Sequence, residues 1–292
     1  MSRSLKGWAG VALVATLLLA ACGTDPAPLR AGSTPTPTPE PTPETSQAPK
    51  SHEEHRTVDL EIWFARGDGL FGTRRATEST PAVGTAAMEE LLAGPSGAEA
   101  DADVFTAIPE GTELLDLDIS DGTARVDLSA EFEGGGGSFA ETMQLAQVVY
   151  TLTQFPTVDD VVLEIDGERV EVFGGHGIVI DDPMKRSDFK DLLTPIVVMT
   201  PAIGDRVSSP VTISGTANVF EATVSIRILD DEGNLLAETF TTATCGTGCR
   251  GDYSEKVRFD AAGDGGVIEV FESSAEDGSD LHLVSIPVQF GK

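Results

Sequence analysis

Leu115-Asp116-Leu117-Asp118-Ile119-Ser120-Asp121-Gly122-Thr123-Ala124-Arg125-Val126-Asp127-Leu128 decides how the first half of the chain is read. Leu115, Leu117 and Ile119 alternate with polar residues, and so do Ala124, Val126 and Leu128. A period of two marks half-buried strands, and Asp-Gly between two such runs is a strong hairpin signal. Upstream, Val83, Ala87, Leu91 and Leu92 give one apolar helical face. Thr80 is expected to cap that helix, Pro81 to open it and Gly94-Pro95 to stop it. Earlier still, Val58, Leu60, Ile62 and Phe64 alternate with Asp59, Glu61 and Trp63 as another strand. Downstream the order repeats. Ser138 and Glu141 read as a capping box after the Gly134 to Gly137 run. Leu145, Val148, Val149 and Leu152 follow at helical spacing, with a stop near Pro156. Val161, Leu163 and Ile165 lead to Asp166-Gly167, with Val170 and Val172 on the return strand. Residues 57–183 therefore read as an α+β domain of two helix-plus-hairpin units.

The helical period disappears after that. Residues 184–194 are short and charged (Lys185, Arg186, Asp188, Lys190, Asp191) and read as a hinge. Over 195–292, alternating runs recur at intervals of roughly 12 residues, the spacing of a β-sandwich. They are Val211 to Ser214, Val224 to Leu229, Leu235 to Thr241, Tyr253 to Phe259, Val267 to Glu272 and Leu281 to Phe290. Asp231-Glu232-Gly233-Asn234 and Asp277-Gly278-Ser279-Asp280 supply turns. Cys245 and Cys249 lie too close in sequence to bridge two sheets. In an oxidising compartment they read as a disulfide that staples a small loop.

The N-terminus sets the compartment. Arg3 and Lys6 precede an apolar run from Trp8 to Ala21, the pattern of a secretory signal over residues 1–21. The run is too short for a comfortable membrane span of roughly 20 residues. Leu19-Ala20-Ala21-Cys22-Gly23 resembles the bacterial lipobox, so Cys22 is expected to carry the lipid anchor and to begin the mature chain. Acyl chains partition at about 0.8 kcal/mol per buried methylene, enough for two or three to hold a protein without a transmembrane helix. Residues 22–56 hold Thr34-Pro35-Thr36-Pro37-Thr38-Pro39-Glu40-Pro41-Thr42-Pro43, a composition expected to form a disordered, semi-rigid polyproline spacer. The expected location is the extracytoplasmic face of the cell membrane.

Charge narrows the partners. The formal charge is −29, and losing Arg3 and Lys6 with the signal takes it to −31. Phosphates would be repelled, so nucleic acid is excluded as a partner. The sequence holds no Gly-x-Ser-x-Gly elbow, phosphate loop or His-Glu-x-x-His helix. His52-Glu53-Glu54-His55 reads as a solvated charge run, and His176, within Gly174-Gly175-His176-Gly177, as a turn residue. His282 is expected to face solvent from a strand. Asp230-Asp231-Glu232 lacks the spaced oxygen ligands of a calcium loop. No catalytic, metal-ligating or cofactor-binding residue is therefore expected, and no cofactor.

Five stretches carry a resemblance. Phe64-Ala65-Arg66-Gly67-Asp68-Gly69, Leu91-Leu92-Ala93-Gly94-Pro95, Val126-Asp127-Leu128-Ser129 and Gln144-Leu145-Ala146-Gln147-Val148-Val149-Tyr150 resemble the GerMN domain of sporulation and germination lipoproteins. Ser208 to Ala222, which includes Gly215-Thr216-Ala217-Asn218-Val219-Phe220-Glu221, resembles the Gmad2 domain that often accompanies it. The resemblance implies an α+β domain followed by an all-β immunoglobulin-like sandwich, with no assigned catalytic residues and a binding role for the second module. It implies a non-catalytic, lipid-anchored envelope protein that scaffolds or recruits other envelope proteins, or oligomerises with itself. The alternative expectation is a binder of a small envelope ligand such as a peptidoglycan fragment or germinant.

Overall fold

The computed structural model describes residues 56–180 and 182–291. The signal, Cys22, the proline-rich run, His52 and His55 lie outside the described residues.

The described chain opens with an antiparallel pair, β1 (Thr57–Arg66) and β2 (Gly69–Glu78), in unbroken register from Thr57 opposite Glu78 to Arg66 opposite Gly69. The sequence hides β2, because Gly69, Gly72 and Arg74-Arg75 interrupt any alternation of apolar residues. Helix α1 (Val83–Leu92) follows. Its N-cap is Ala82 and not Thr80, whose Oγ1 instead accepts from the Ala82 N–H at 3.2 Å just outside the helix. A capping box does occur one element later, at α2 (Gly97–Asp101): Ser96 Oγ accepts from the Glu99 N–H, and Glu99 Oε2 accepts from the Ser96 N–H. β3 (Val104–Phe105) then pairs with the end of β1.

β4 (Leu114–Ser120) and β5 (Thr123–Leu128) form the expected hairpin, with Asp121 and Gly122 at φ of 51° and 88°, as a tight primed turn requires. Helix α3 (Ser138–Leu152) leads to β6 (Asp160–Ile165), which pairs parallel to β5. A parallel pair needs a crossover, and α3 supplies it. β7 (Glu168–Arg169) turns back on β6 over Asp166-Gly167, so both hairpins share the sheet β4-β5-β6-β7 and are not two separate units. Val172 is not on that return strand. It belongs to β8 (Val172–Phe173), which pairs with β9 (Ile178–Val179). The capping box expected at Ser138 is also absent. Gly137 is the N-cap, Ser138 is already helical, and Glu141 turns away toward Gly175.

One face of α3 buries polar residues where an amphipathic reading puts solvent. Gln144, Gln147 and Thr151 are all essentially inaccessible. The reason lies in β1, whose backbone has no neighbouring strand beyond Ala65 and Arg66 on the β3 side. Gln154 accepts from the Glu61 N–H and donates to the Glu61 C=O, both at 2.7 Å. Thr151 Oγ1 accepts from the Trp63 N–H at 3.2 Å, and Gln147 Nε2 donates to the Trp63 C=O at 3.1 Å. Gln147 Oε1 also accepts from the Ala107 N–H at 2.8 Å. Residues 147, 151 and 154 stand at i, i+4 and i+7, so a helical stripe replaces a missing strand.

The second half is built of strands. β10 (Ile196–Thr200), β12 (Val211–Ala217) and β15 (Gly251–Val257) form one antiparallel sheet. The other sheet has the order β11 (Arg206–Val207), β17 (Asp280–Phe290), β16 (Gly265–Ser273), β13 (Thr223–Asp230) and β14 (Leu235–Thr242). Ile213, Val224, Ile226, Ile228, Ile268 and Val270 alternate inward and are fully buried, which gives the two-sheet core its apolar filling. Each of the six alternating runs overlaps a strand of these sheets, although Arg258 and Phe259 lie beyond the end of β15.

Residues 184–194 are ordered where a hinge is expected. Arg186–Leu192 form a 3-10 helix with Phe189 buried. The Arg186 guanidinium lies 4.8 Å from the Tyr150 ring centre and 5.6 Å from that of Trp63, and donates to the Tyr150 C=O. Apolar and cation-π contacts therefore hold a segment whose charge alone suggested mobility.

Candidate interaction site

One end of the sandwich carries a loop with two successive non-glycine residues at positive φ. Glu221 and Ala222 stand at 53° and 58°. That conformation is costly outside glycine and persists only where surrounding contacts over-determine it. Here the contacts come from the disulfide-closed loop. Cys245 and Cys249 are bonded, with Cα atoms 5.7 Å apart. Thr247 Oγ1 accepts from the Glu221 N–H at 2.9 Å, and the Thr247 N–H donates to the Val219 C=O. Asn218 Oδ1 accepts from the Gly248 N–H at 3.0 Å, and Glu272 reaches the Phe220 N–H from β16. Gly246 packs so closely on the Ala222 backbone that a Cβ there would collide with it. The result is a braced loop that leaves the Phe220 side chain 52% exposed.

A seam joins this sandwich to the preceding domain. The Arg74 guanidinium donates to the Met199 C=O at 3.0 Å, and Arg66 to the Ser285 C=O at 2.9 Å. Arg66 also stacks on Phe71, 5.7 Å from the ring centre. Burial lowers the Arg66 pKa, and the Asp103 carboxylate opposes that shift. Beside it lies a cleft of about 400 Å³, walled by Leu70 and Phe71 on one side and by Val197, Leu283 and Ser285 on the other.

The other residues singled out in the sequence do not converge on one site. His176 sits in the Gly174 to Gly177 turn, where its Nδ1 lies 3.0 Å from Glu141 Oε1. Glu141 also accepts from the Gly175 N–H at 2.9 Å. The hydrogen bond from His176, followed by that from Gly175, holds this carboxyl below the usual glutamate range. Gly174 takes a φ of 69° and packs against the Glu141 carboxyl, where any side chain would clash. His282 is about half exposed on β17, near Glu272. The Asp230 carboxylate is engaged within its own turn by the Asn234 side chain and by the N–H groups of Asn234 and Glu232. Those bonds, led by the Asn234 side chain, depress its pKa. No motif in the sequence marks Asn218, Phe220 and Thr247 as site residues, although Asn218-Val219-Phe220 lies within the Ser208 to Ala222 stretch. Their role depends on two loops meeting about 30 residues apart, which no periodicity reports.

Two family models match the chain. The family model Germane, described as sporulation and spore germination, matches residues 45–171. Gmad2, described as an immunoglobulin-like domain of bacterial spore germination, matches residues 195–279. The chain is 27% identical over 166 residues to a spore germination protein, GerM, of Bacillus subtilis (strain 168). The match covers 56% of this chain and 45% of the relative, so this chain spans less than half of that protein's length. Among solved structures, the tandem GerMN domains of the sporulation protein GerM from Bacillus subtilis match at a TM-score of 0.40 and 18% identity, over 70% of this chain and 62% of that one. The first GerMN domain of the same protein matches at 0.38 and 26% identity, over 45% of this chain and all of that one.

Proposed function

The chain carries a Germane domain followed by a Gmad2 domain, and on that premise we propose that it is a non-catalytic adaptor of the cell envelope. In this reading Cys22 holds it by lipid to the extracytoplasmic face of the membrane, and the folded body recruits other envelope proteins in a sporulation- or germination-type assembly. The observation that carries the reading is the Phe220 loop. An exposed aromatic ring on a loop braced by a disulfide, Asn218, Thr247 and Glu272 loses little freedom on binding, which is what a protein contact favours. Cross-linking of the tagged full chain in intact cells tests it, with Phe220→Ala and Cys22→Ala alongside. The expected result is a defined envelope partner that is lost with Phe220→Ala, and release of the Cys22→Ala chain from the membrane or retention of its signal. Capture of no partner under any condition would overturn the adaptor.

A second reading, a receptor for a small envelope ligand, draws on the 400 Å³ cleft beside Arg66. Pockets of that size suit small molecules. A flat calorimetric titration against muropeptides removes it.

A further inference from the structure

β4 is an outer strand of the sheet β4-β5-β6-β7, and among the described residues no strand pairs with its other side. Such an edge offers a row of N–H and C=O groups to any extended chain, so proteins usually cover or charge it. Here it is charged. The register sets Asp116 and Asp118 opposite Asp127 and Arg125, on the face away from the buried Ala124 and Val126. On the other face Leu117 and Ile119 lie against Gly84 of α1, and Ile119 remains 37% exposed. Between β4 and α1 run two hollows of about 480 and 410 Å³ that share Thr85 and Leu117. An edge merely guarded against aggregation needs no such groove.

The charge around it is mostly negative: Arg125, opposite Asp118, is engaged by Glu164 at 2.8 Å, and Arg75 pairs with Glu90 and Glu99. From Pro81 to Asp121, which includes α1 and β4, there are ten carboxylates and no lysine, arginine or histidine. Glu89, Glu113 and Asp116 border the groove, with Leu92 and Leu114 between them. A second copy of a chain at −29 brings like charge to this edge and is repelled. A cationic strand is attracted.

We infer that the β4 edge takes up an extended segment of a partner protein in which lysine or arginine alternates with apolar residues, as an added strand. Backbone hydrogen bonds would supply affinity and alternate side chains specificity: basic ones over Asp116 and Asp118, apolar ones in the groove. The inference gives the proposed adaptor a second contact surface, and it rests on that reading only for the existence of a protein partner.

The test is fluorescence anisotropy of the full chain in detergent with labelled synthetic peptides of about eight residues, a usual strand length. One alternates lysine and valine, one has the same composition with lysines and valines segregated, and one alternates glutamate and valine. The alternating lysine peptide is expected to bind about tenfold tighter than the segregated one, and the glutamate peptide not at all. The double variant Asp116→Lys, Asp118→Lys should lose about tenfold, as should Ile119→Glu, with thermal melts establishing that both remain folded. Equal binding of the alternating and segregated peptides would overturn the inference, because composition alone would then explain it. So would an undiminished affinity in the double variant. Self-association that the double variant abolishes would overturn it too, by assigning the edge to a second copy. If cells still yield a Phe220-dependent partner while no peptide binds, this surface falls and the adaptor stands.

Discussion

The same domain closes one strand edge and leaves another open. Before Ala65, β1 has its backbone satisfied by Gln147 and Thr151 of α3 and by Gln154 just beyond that helix, while among the described residues no strand pairs with the outer side of β4. The difference follows from burial. β1 is packed under α3, where an unpaired backbone group costs as much as a lost hydrogen bond, so polar side chains must enter the core to meet it. β4 lies in water, which satisfies its free groups at no structural cost and leaves them available. The closed edge therefore fixes the rotation of α3 on the sheet, and the open edge is free for a partner.

The largest expected effect tests the closed edge. Gln147→Leu removes bonds to the Trp63 C=O, which it strands in the core, and to the Ala107 N–H, which it leaves unpaired at the half-buried margin. Each orphan costs roughly 1–3 kcal/mol, so a loss of about 3 kcal/mol is expected in urea unfolding. A loss below about 1 kcal/mol would mean that the stripe on α3 does not close β1.

A third border, the end of the sandwich, is closed covalently, and it sharpens the contrast. For a five-residue loop the chain-entropy estimate is about 2 kcal/mol, so Cys245→Ser should destabilise by that order and raise amide exchange at Phe220 and Glu221. Unchanged exchange there would show that Asn218 and Thr247 brace the loop without the disulfide.

Glu141 tests how the other end of α3 is held. Its folded-state pKa is depressed, so the stability it contributes is complete above its unfolded value of about 4.3 and is lost as pH falls through the lowered folded value. Glu141→Gln should flatten that acid-side slope in chemical denaturation between neutral and low pH. An unchanged slope would assign it to other carboxylates.

The smallest effect belongs to the open edge. Asp118→Lys changes an exposed side chain whose hydrogen bond is to the neighbouring Ser120, and should stay within about 0.5 kcal/mol of the parent. A large loss would make Asp118 part of the fold rather than of a surface.

Much of this was legible in local pattern. Asp121-Gly122 and Asp166-Gly167 turn where the sequence places turns, because Asp and Gly tolerate positive φ. The sandwich strands were legible because one face of each is buried, which imposes a period of two. The failures share a cause. Glu141 has the spacing of a capping partner for Ser138 but is drawn to Gly175 and His176, which arrive from 34 and 35 residues further on. Arg186 looked like part of a charged hinge until Trp63 and Tyr150 supplied rings to stack on. Gln147 and Thr151 sit on a polar stripe whose burial no local pattern announces, because their partners are backbone groups of β1 more than 80 residues away, and Gln144 donates to the Ala107 C=O, 37 residues away.

By itself the sequence determined the two kinds of domain, most of the strands and hairpins, and the pairing of Cys245 with Cys249, because these depend on period, turn chemistry and near neighbours. Tertiary structure alone decided which strand edge is closed, which loop is braced and where Phe220 stands exposed. Those outcomes depend on which buried polar group finds which distant partner, and hydrogen bonding across folded elements leaves no period in the chain.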